Sequence, residues 1–442
     1  MAKKAHPPSN ASWKLARCRL SSGGLISCGL LSFLSAATSA RAQQGLTDAM
    51  ANDTATQARS QQQLQEYTFK EGDFRMLVTP AMTLEYNDNV QTSGTAQQDD
   101  FILMPTLGLV SSYPLTDRNV VQLNLTGGYS EYVKHEDLST WYLQAGSGLS
   151  FDVYIKDILI NLHDRFSFIQ DSAQNADVAN TGSFGTFQNS VGPTVSWNLK
   201  KVVFTLGYDH QNELSTSSTL SQVDHSAESG YARVGYQWNS KLTTGLEASA
   251  SSMTYSDMVL NNNTSESIGV YGDWQPDSFL HITPRAGYVI DQFDQTSRYL
   301  RTSDVSSWYA DLKISHDITE SLNYSLDLGR QVNAGLQSDV DENYYAKLGL
   351  DWNFIKGNRF TTSLFYQYGN QGTGSSQIAG TSNPNLVSET YDYYGGQIGY
   401  SHALTSRINL ALNYRITERT STGEDRGYTQ NVVMLQITYH AL

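Results

Sequence analysis

Leu322-Asn323-Tyr324-Ser325-Leu326-Asp327-Leu328-Gly329 and Ile408-Asn409-Leu410-Ala411-Leu412-Asn413-Tyr414-Arg415-Ile416 alternate apolar and polar residues throughout. Successive side chains of a strand point to opposite faces, so each segment has one greasy face and one polar face. The same alternation recurs in segments of ten or more residues from residue 73 onward, joined by connections that are alternately long and short. Such strands, with long loops on one rim and tight turns on the other, mark a transmembrane β-barrel. The expected fold is all-β: a closed, antiparallel, up-and-down barrel of about 18 strands (16–18).

The strands are expected near 73–86, 100–113, 119–133, 141–154, 158–170, 187–198, 202–214, 225–238, 242–255, 264–275, 279–293, 304–316, 321–332, 342–354, 359–370, 389–403, 407–419 and 427–440. With an even count and a long first connection, both termini are expected on the short-turn rim, which is periplasmic in this class. Pro80, Pro105, Pro193 and Pro284 fall inside these strands. Proline removes a ladder donor, so each is expected to mark a bulge.

Bulk properties fit a barrel with a wet interior. The 442 residues are 39% hydrophobic, with a mean hydropathy of −0.40. No apolar run is long enough for a membrane-spanning helix. A barrel escapes that requirement because half of each strand faces a polar lumen. The 27 Tyr and 34 Gly suit aromatic girdles and closely packed strands.

The N-terminus reads as a secretory signal peptide, residues 1–42. Lys3, Lys4, Lys14, Arg17 and Arg19 form the basic region, Leu25 to Ala37 the apolar one, and Ala40-Arg41-Ala42 the cleavage site. A loose lipobox at Leu25–Cys28 leaves lipidation of Cys28 as the alternative. Both cysteines, Cys18 and Cys28, lie in this peptide, so the mature chain has neither a disulfide nor a thiolate. Six basic residues and no acid leave with it, taking the net charge from −14 to −20. That charge argues against a nucleic-acid partner. Residues 43–72, polar and rich in Gln and Ala, are expected to be a flexible or briefly helical periplasmic segment, and 73–442 the barrel.

Tryptophan positions give the barrel an axis. Trp197, Trp238, Trp274 and Trp352 each lie just before a short turn, on the apolar phase of their strand. Trp141 and Trp308 lie just after long connections. These six are expected to form the two interfacial girdles.

Catalytic motifs are lacking. The histidines have no metal-binding spacing, no nucleophile elbow occurs, and the Gly-rich stretch at Gly395–Gly399 lies within a strand. Neither an enzyme nor a cofactor is expected. The lumen is where function should lie. Phasing each strand by its apolar face turns Arg233, Tyr271, Asp273, Arg285, Asp291, Tyr309, Asp311, Lys313, Lys347, Asp351 and Arg415 inward, with Glu247 and Asp327 among the other inward acids. Mixed signs predict no strong ion selectivity. Tyr309-x-Asp311 and Tyr271-x-Asp273 pair a ring with hydrogen-bond acceptors, as a carbohydrate path would. The competing expectation is that tyrosines brace the wall. An 18-stranded barrel leaves an aqueous channel unless loops fold in. The loops at 171–186 and 371–388 are the best candidates for a constriction.

The opening strand ends Tyr86-Asn87-Asp88-Asn89-Val90. That segment, soon after a signal peptide, resembles a family of outer-membrane β-barrel porins of Gram-negative bacteria often found with exopolysaccharide synthesis and export genes. The resemblance implies an outer-membrane channel for hydrophilic solutes, exported exopolysaccharide among them. It implies no catalytic residues. The expected partners are outer-membrane lipid, lipopolysaccharide and the barrel-assembly machinery, with polysaccharide and periplasmic export proteins added by the resemblance. The chain departs from the pattern in ending Tyr439-His440-Ala441-Leu442 rather than in an aromatic residue. The competing class is a non-transporting scaffold, receptor or adhesin acting through extracellular loops.

Overall fold

The computed structural model describes residues 67–170, 173, 175–182, 184–217, 220–372, 376–378 and 386–441. The expected signal peptide, both cysteines and most of segment 43–72 lie outside them. Among the described residues, eighteen long strands form the barrel: β1 (Phe74–Asn87), β2 (Asp100–Pro114), β3 (Val120–Tyr132), β4 (Thr140–Ile155), β5 (Ile158–Gln170), β6 (Gly185–Leu199), β7 (Val202–Ser215), β8 (His225–Asn239), β9 (Leu242–Tyr255), β10 (Asn263–Trp274), β11 (Leu280–Phe293), β12 (Val305–Thr319), β13 (Leu322–Asn333), β14 (Asp341–Ile355), β15 (Asn358–Gln371), β16 (Glu389–Ala403), β17 (Ile408–Ser421) and β18 (Tyr428–Tyr439). Each pairs antiparallel with the next. β1 pairs with β18 from Ala81↔Thr438 to Asn87↔Val432, which closes the ring and leaves no long free edge. A three-residue strand, Phe69–Glu71, folds back on the start of β1.

Closure separates the two faces. Leu206, Leu246, Ile268, Leu364, Ile398 and Leu412 point outward, each more than half exposed. So many large apolar side chains left open in mid-strand form the belt that lipid covers. A barrel with such a belt belongs in the bacterial outer membrane. The six tryptophans also lie on the outer surface, from Trp197 at 44% exposed to Trp141 at 71%. Trp141 stacks edge-on against Tyr129 of the neighbouring strand, with ring centroids 5.2 Å apart.

Leu246→Arg would place a charge in the middle of the apolar belt. Urea unfolding in lipid vesicles should show a loss of about 2–4 kcal/mol, the range for a midplane arginine. Ser249→Arg, on the wet face, should cost far less.

The prolines do not slip the register. The partners on either side of Pro105, Pro193 and Pro284 keep one continuous offset, and the ladder merely loses pairs on one flank. Pro80 lies just beyond the last β1–β18 pair. Placing the missing N–H at a break in pairing removes the need for a bulge. Register shifts lie elsewhere: beside short turns at Leu242/Thr243, Asp317/Thr319 and Trp352/Ile355, and within strands at Asn124/Gly127 and at Leu143/Ser147. The last of these contains Gly146, at φ +89°, a conformation that disfavours a side chain.

The long connections fold inward. Val178 and Phe184 from the β5–β6 loop pack with Leu220 and Val223 from the β7–β8 loop and Leu336 from the β13–β14 loop. All are at most 4% exposed. Leu386, from the β15–β16 loop, packs against Ala227 of β8 and Met253 of β9, far around the ring. Asp339 ties two further loops together: its carboxylate accepts from the Asn261 backbone N–H at 2.8 Å, from Asn261 Nδ2 at 2.7 Å and from the Thr302 hydroxyl. Burial pushes the Asp339 carboxyl above its ordinary range, and those donors pull it back. The long-loop mouth therefore has a small apolar core of its own.

Candidate functional site

The inner wall is built in cross-strand rungs. All eleven residues expected to face the lumen occupy the phase opposite to the outward apolar residues of their strands: Arg233 on β8, Tyr271 and Asp273 on β10, Arg285 and Asp291 on β11, Tyr309, Asp311 and Lys313 on β12, Lys347 and Asp351 on β14, and Arg415 on β17. Three of them converge on Glu247 of β9, which is 1% exposed. Arg285 meets its carboxylate through Nε at 3.0 Å and Nη2 at 2.9 Å. Tyr309 donates its hydroxyl proton to Oε1 at 3.0 Å. Arg233 approaches Oε2 at 3.6 Å, and its guanidinium lies 3.7 Å above the Tyr271 ring. Two cations, one anion and two rings thus form a single braced patch.

A second group gathers on β12–β14. Tyr345 donates to Asp311 Oδ2 at 2.5 Å. Asp327 lies opposite both Lys313 and Lys347 in the register. The remaining expected residues lie apart. Asp351 pairs with Arg359 near the short turns, Nε to Oδ1 at 2.8 Å. Asp273 meets His281 Nε2 at 3.0 Å. Arg415 donates to Gln430 at 3.4 Å. Asp291 lies opposite Ser265, higher on the wall. Acids and bases alternate around the ring, so no single-sign ring forms.

The tyrosines brace the wall by a repeated device. Tyr142, Tyr231, Tyr271, Tyr309, Tyr345 and Tyr391 each stand opposite a glycine on the preceding strand: Gly128, Gly207, Gly245, Gly287, Gly329 and Gly369. At Gly287 an added Cβ would come within 2.5 Å of the Tyr309 ring and hydroxyl. The ring occupies the space a side chain would need, so tyrosine and glycine are required together. Tyr309 is only 3% exposed, and its ring face is covered by the wall. It offers a sugar no stacking surface in this arrangement.

Sequence phasing missed the group that holds the loops. Glu389, at the start of β16, binds Arg419 Nη2 at 2.6 Å and Arg426 Nε at 2.9 Å. Glu389 and Arg419 side chains are both 0% exposed. Arg419 Nε donates to the Ala176 carbonyl and Arg426 Nη2 to the Asp177 carbonyl, both at 2.7 Å. Tyr391 donates to Asp177 Oδ1 at 2.9 Å, and Tyr393 to the Ala173 carbonyl. The β5–β6 loop thereby crosses the mouth and is latched to β16 and β17. Arg419 shares the inward phase of Arg415, and that signal was available. Arg426 lies in the β17–β18 loop, where alternation says nothing.

No protein-family model matches the chain, and no curated protein matches it. Among solved structures, a BenF-like porin from Pseudomonas fluorescens Pf-5 is 10% identical, with a TM-score of 0.49, covering 84% of this chain and 99% of that one. OccK2 (OpdF) of Pseudomonas aeruginosa, solved in complex with glucuronate, is 11% identical, with a TM-score of 0.48 and the same two coverages. Pseudomonas aeruginosa OpdQ is 10% identical, with a TM-score of 0.47, covering 84% of this chain and 100% of that one. At such identities and TM-scores this likeness carries no argument about what the present chain transports.

Proposed function

We propose that the chain is an outer-membrane channel for small hydrophilic solutes, narrowed at its long-loop mouth. The observation that carries this reading is a closed eighteen-strand ring whose inner wall is clad in paired charges, with loops drawn across one end. A wall of that chemistry has no use as a packed core, because burying charges without a lumen to hydrate them is costly. The long loops face the exterior in this reading, and the short turns face the periplasm. Lipopolysaccharide surrounds the upper belt, and the barrel-assembly machinery inserts the chain.

Passage of exopolysaccharide gains nothing from the wall. A polymer would have to part the Val178–Leu336 cluster and the Arg419–Glu389–Arg426 latch. A scaffold or adhesin acting through its loops would show them reaching outward, whereas their apolar residues are turned in. The deciding measurement is conductance of the refolded full-length chain in planar bilayers. Discrete steps in molar KCl, with a weak preference between cation and anion, are expected. A silent, correctly folded barrel would remove the channel reading and leave the scaffold.

A further inference from the structure

At the top of the wall one rung runs across four strands. Asn333 of β13 lies opposite Asp341 of β14, Asp341 opposite Gln371 of β15, and Gln371 opposite Glu389 of β16. All are buried: Asn333 is 3% exposed, Asp341 1%, Gln371 0% and Glu389 1%. Glu389 is fully engaged by its two arginines and by Ser421. The other three are not. Asp341 Oδ1, both amide atoms of Asn333 and both amide atoms of Gln371 have no hydrogen-bond partner. Buried polar atoms are nearly always paired, so three unpaired neighbours on one rung call for a ligand.

Charge points the same way. The Tyr391 hydroxyl has one proton to give. It faces Asp177 Oδ1 at 2.9 Å, Asn343 Oδ1 at 3.1 Å and Asp341 Oδ2 at 3.3 Å. Asn343 Nδ2 also donates to Asp341 Oδ2, at 2.6 Å, so two buried carboxylates meet around two neutral donors. The adjacent positive charges, Arg419 and Arg426, are already turned to Glu389 and to loop carbonyls.

We propose that this chamber binds a calcium ion, held by Asp341, Asn333 and Gln371 and balanced in charge by Asp177 of the crossing loop. Directly opposed strand residues have Cβ atoms about 4.5–5.5 Å apart, so three neighbouring side-chain oxygens can converge on one ion at about 2.3–2.6 Å. The donor set is oxygen only, which selects a hard cation over a transition metal. Among the described residues no group of three His, Cys, Asp or Glu gathers anywhere, so the site depends on amide oxygens. Two carboxylates and neutral amides suit the weak end of the calcium range, roughly 10⁻⁴–10⁻³ M, as in extracellular modules. The ion would join the β5–β6 loop to the wall at the point where Tyr391 already touches both.

The test is calorimetric titration of the refolded full-length protein with CaCl₂ in detergent, with melting followed in Ca²⁺ and in EGTA. One saturable site is expected, with a higher melting temperature in Ca²⁺. Asp341→Asn should weaken binding at least tenfold, and Asn333→Ala and Gln371→Ala several-fold each. Asp209→Asn, elsewhere on the wall, should leave it unchanged. If Asp341→Asn does not fold, the two amide variants carry the comparison. Absence of saturable binding up to about 10 mM, well above that range, overturns the proposal. So does binding that the amide variants leave at its original strength. Neither result depends on whether the barrel conducts.

Discussion

The double substitution Arg419→Ala/Arg426→Ala is expected to open the long-loop mouth. In single-channel recordings it should raise the conductance or convert brief openings into long ones. Each arginine grips a backbone carbonyl of the β5–β6 loop at 2.7 Å and shares Glu389 with the other. A hydrogen bond to a charged group contributes about 1.5–3 kcal/mol. Losing both loop contacts therefore weakens the latched arrangement by roughly 3–6 kcal/mol, two to four decades in the closed-to-open ratio. Glu389 would also be left buried without its cations, which drives the loop outward so that water can reach it. Single variants should fall between, because each remaining arginine still engages Glu389. Glu389→Gln added to the double variant should recover barrel stability but not closure, since it removes the stranded charge and restores no loop contact. A double variant with wild-type conductance and gating would show that the latch does not control the path.

The barrel was legible in the sequence because lipid imposes a period of two that no other requirement interrupts. Strand ends were recovered to within a few residues even at β4 and β17, where no turn motif helps. The same alternation assigns each residue a face, which is why Arg233, Arg285 and Tyr309 could be named together although they come from three strands. Their convergence on Glu247 was not legible, because the period gives a face and not a register between strands. The prolines misled for a related reason. Proline signals a missing donor, and a gap in pairing satisfies it as well as a bulge does. The loops at 171–186 and 371–388 could be named as a constriction, but the contacts that hold the loops together were opaque for a different reason. Val178, Leu220 and Leu336 lie in polar stretches, and only the closing of the ring brings them together. The tyrosine and glycine counts were visible from the start, but their one-to-one pairing across strands depends on register.

Glu247→Ala is expected to change selectivity and stability together. The carboxylate holds Arg285 through two nitrogens, faces Arg233 at 3.6 Å and accepts from Tyr309 at 3.0 Å. Removing one member of a buried charge group costs about 3–5 kcal/mol, because the partners stay behind without compensation. Two guanidinium groups would then share the patch with no acid between them, and the wall there would change by one positive charge. In a narrow lumen with low-dielectric walls such a change is amplified. Reversal potentials in a KCl gradient should move toward the chloride value. Glu247→Gln separates the two effects. It keeps an acceptor for Tyr309 and most of the packing, so its loss of stability should be smaller. It removes the same charge, so its shift in reversal potential should match that of the alanine variant. If both variants keep the wild-type reversal potential, ions do not pass this patch, and the conducting path runs elsewhere along the wall.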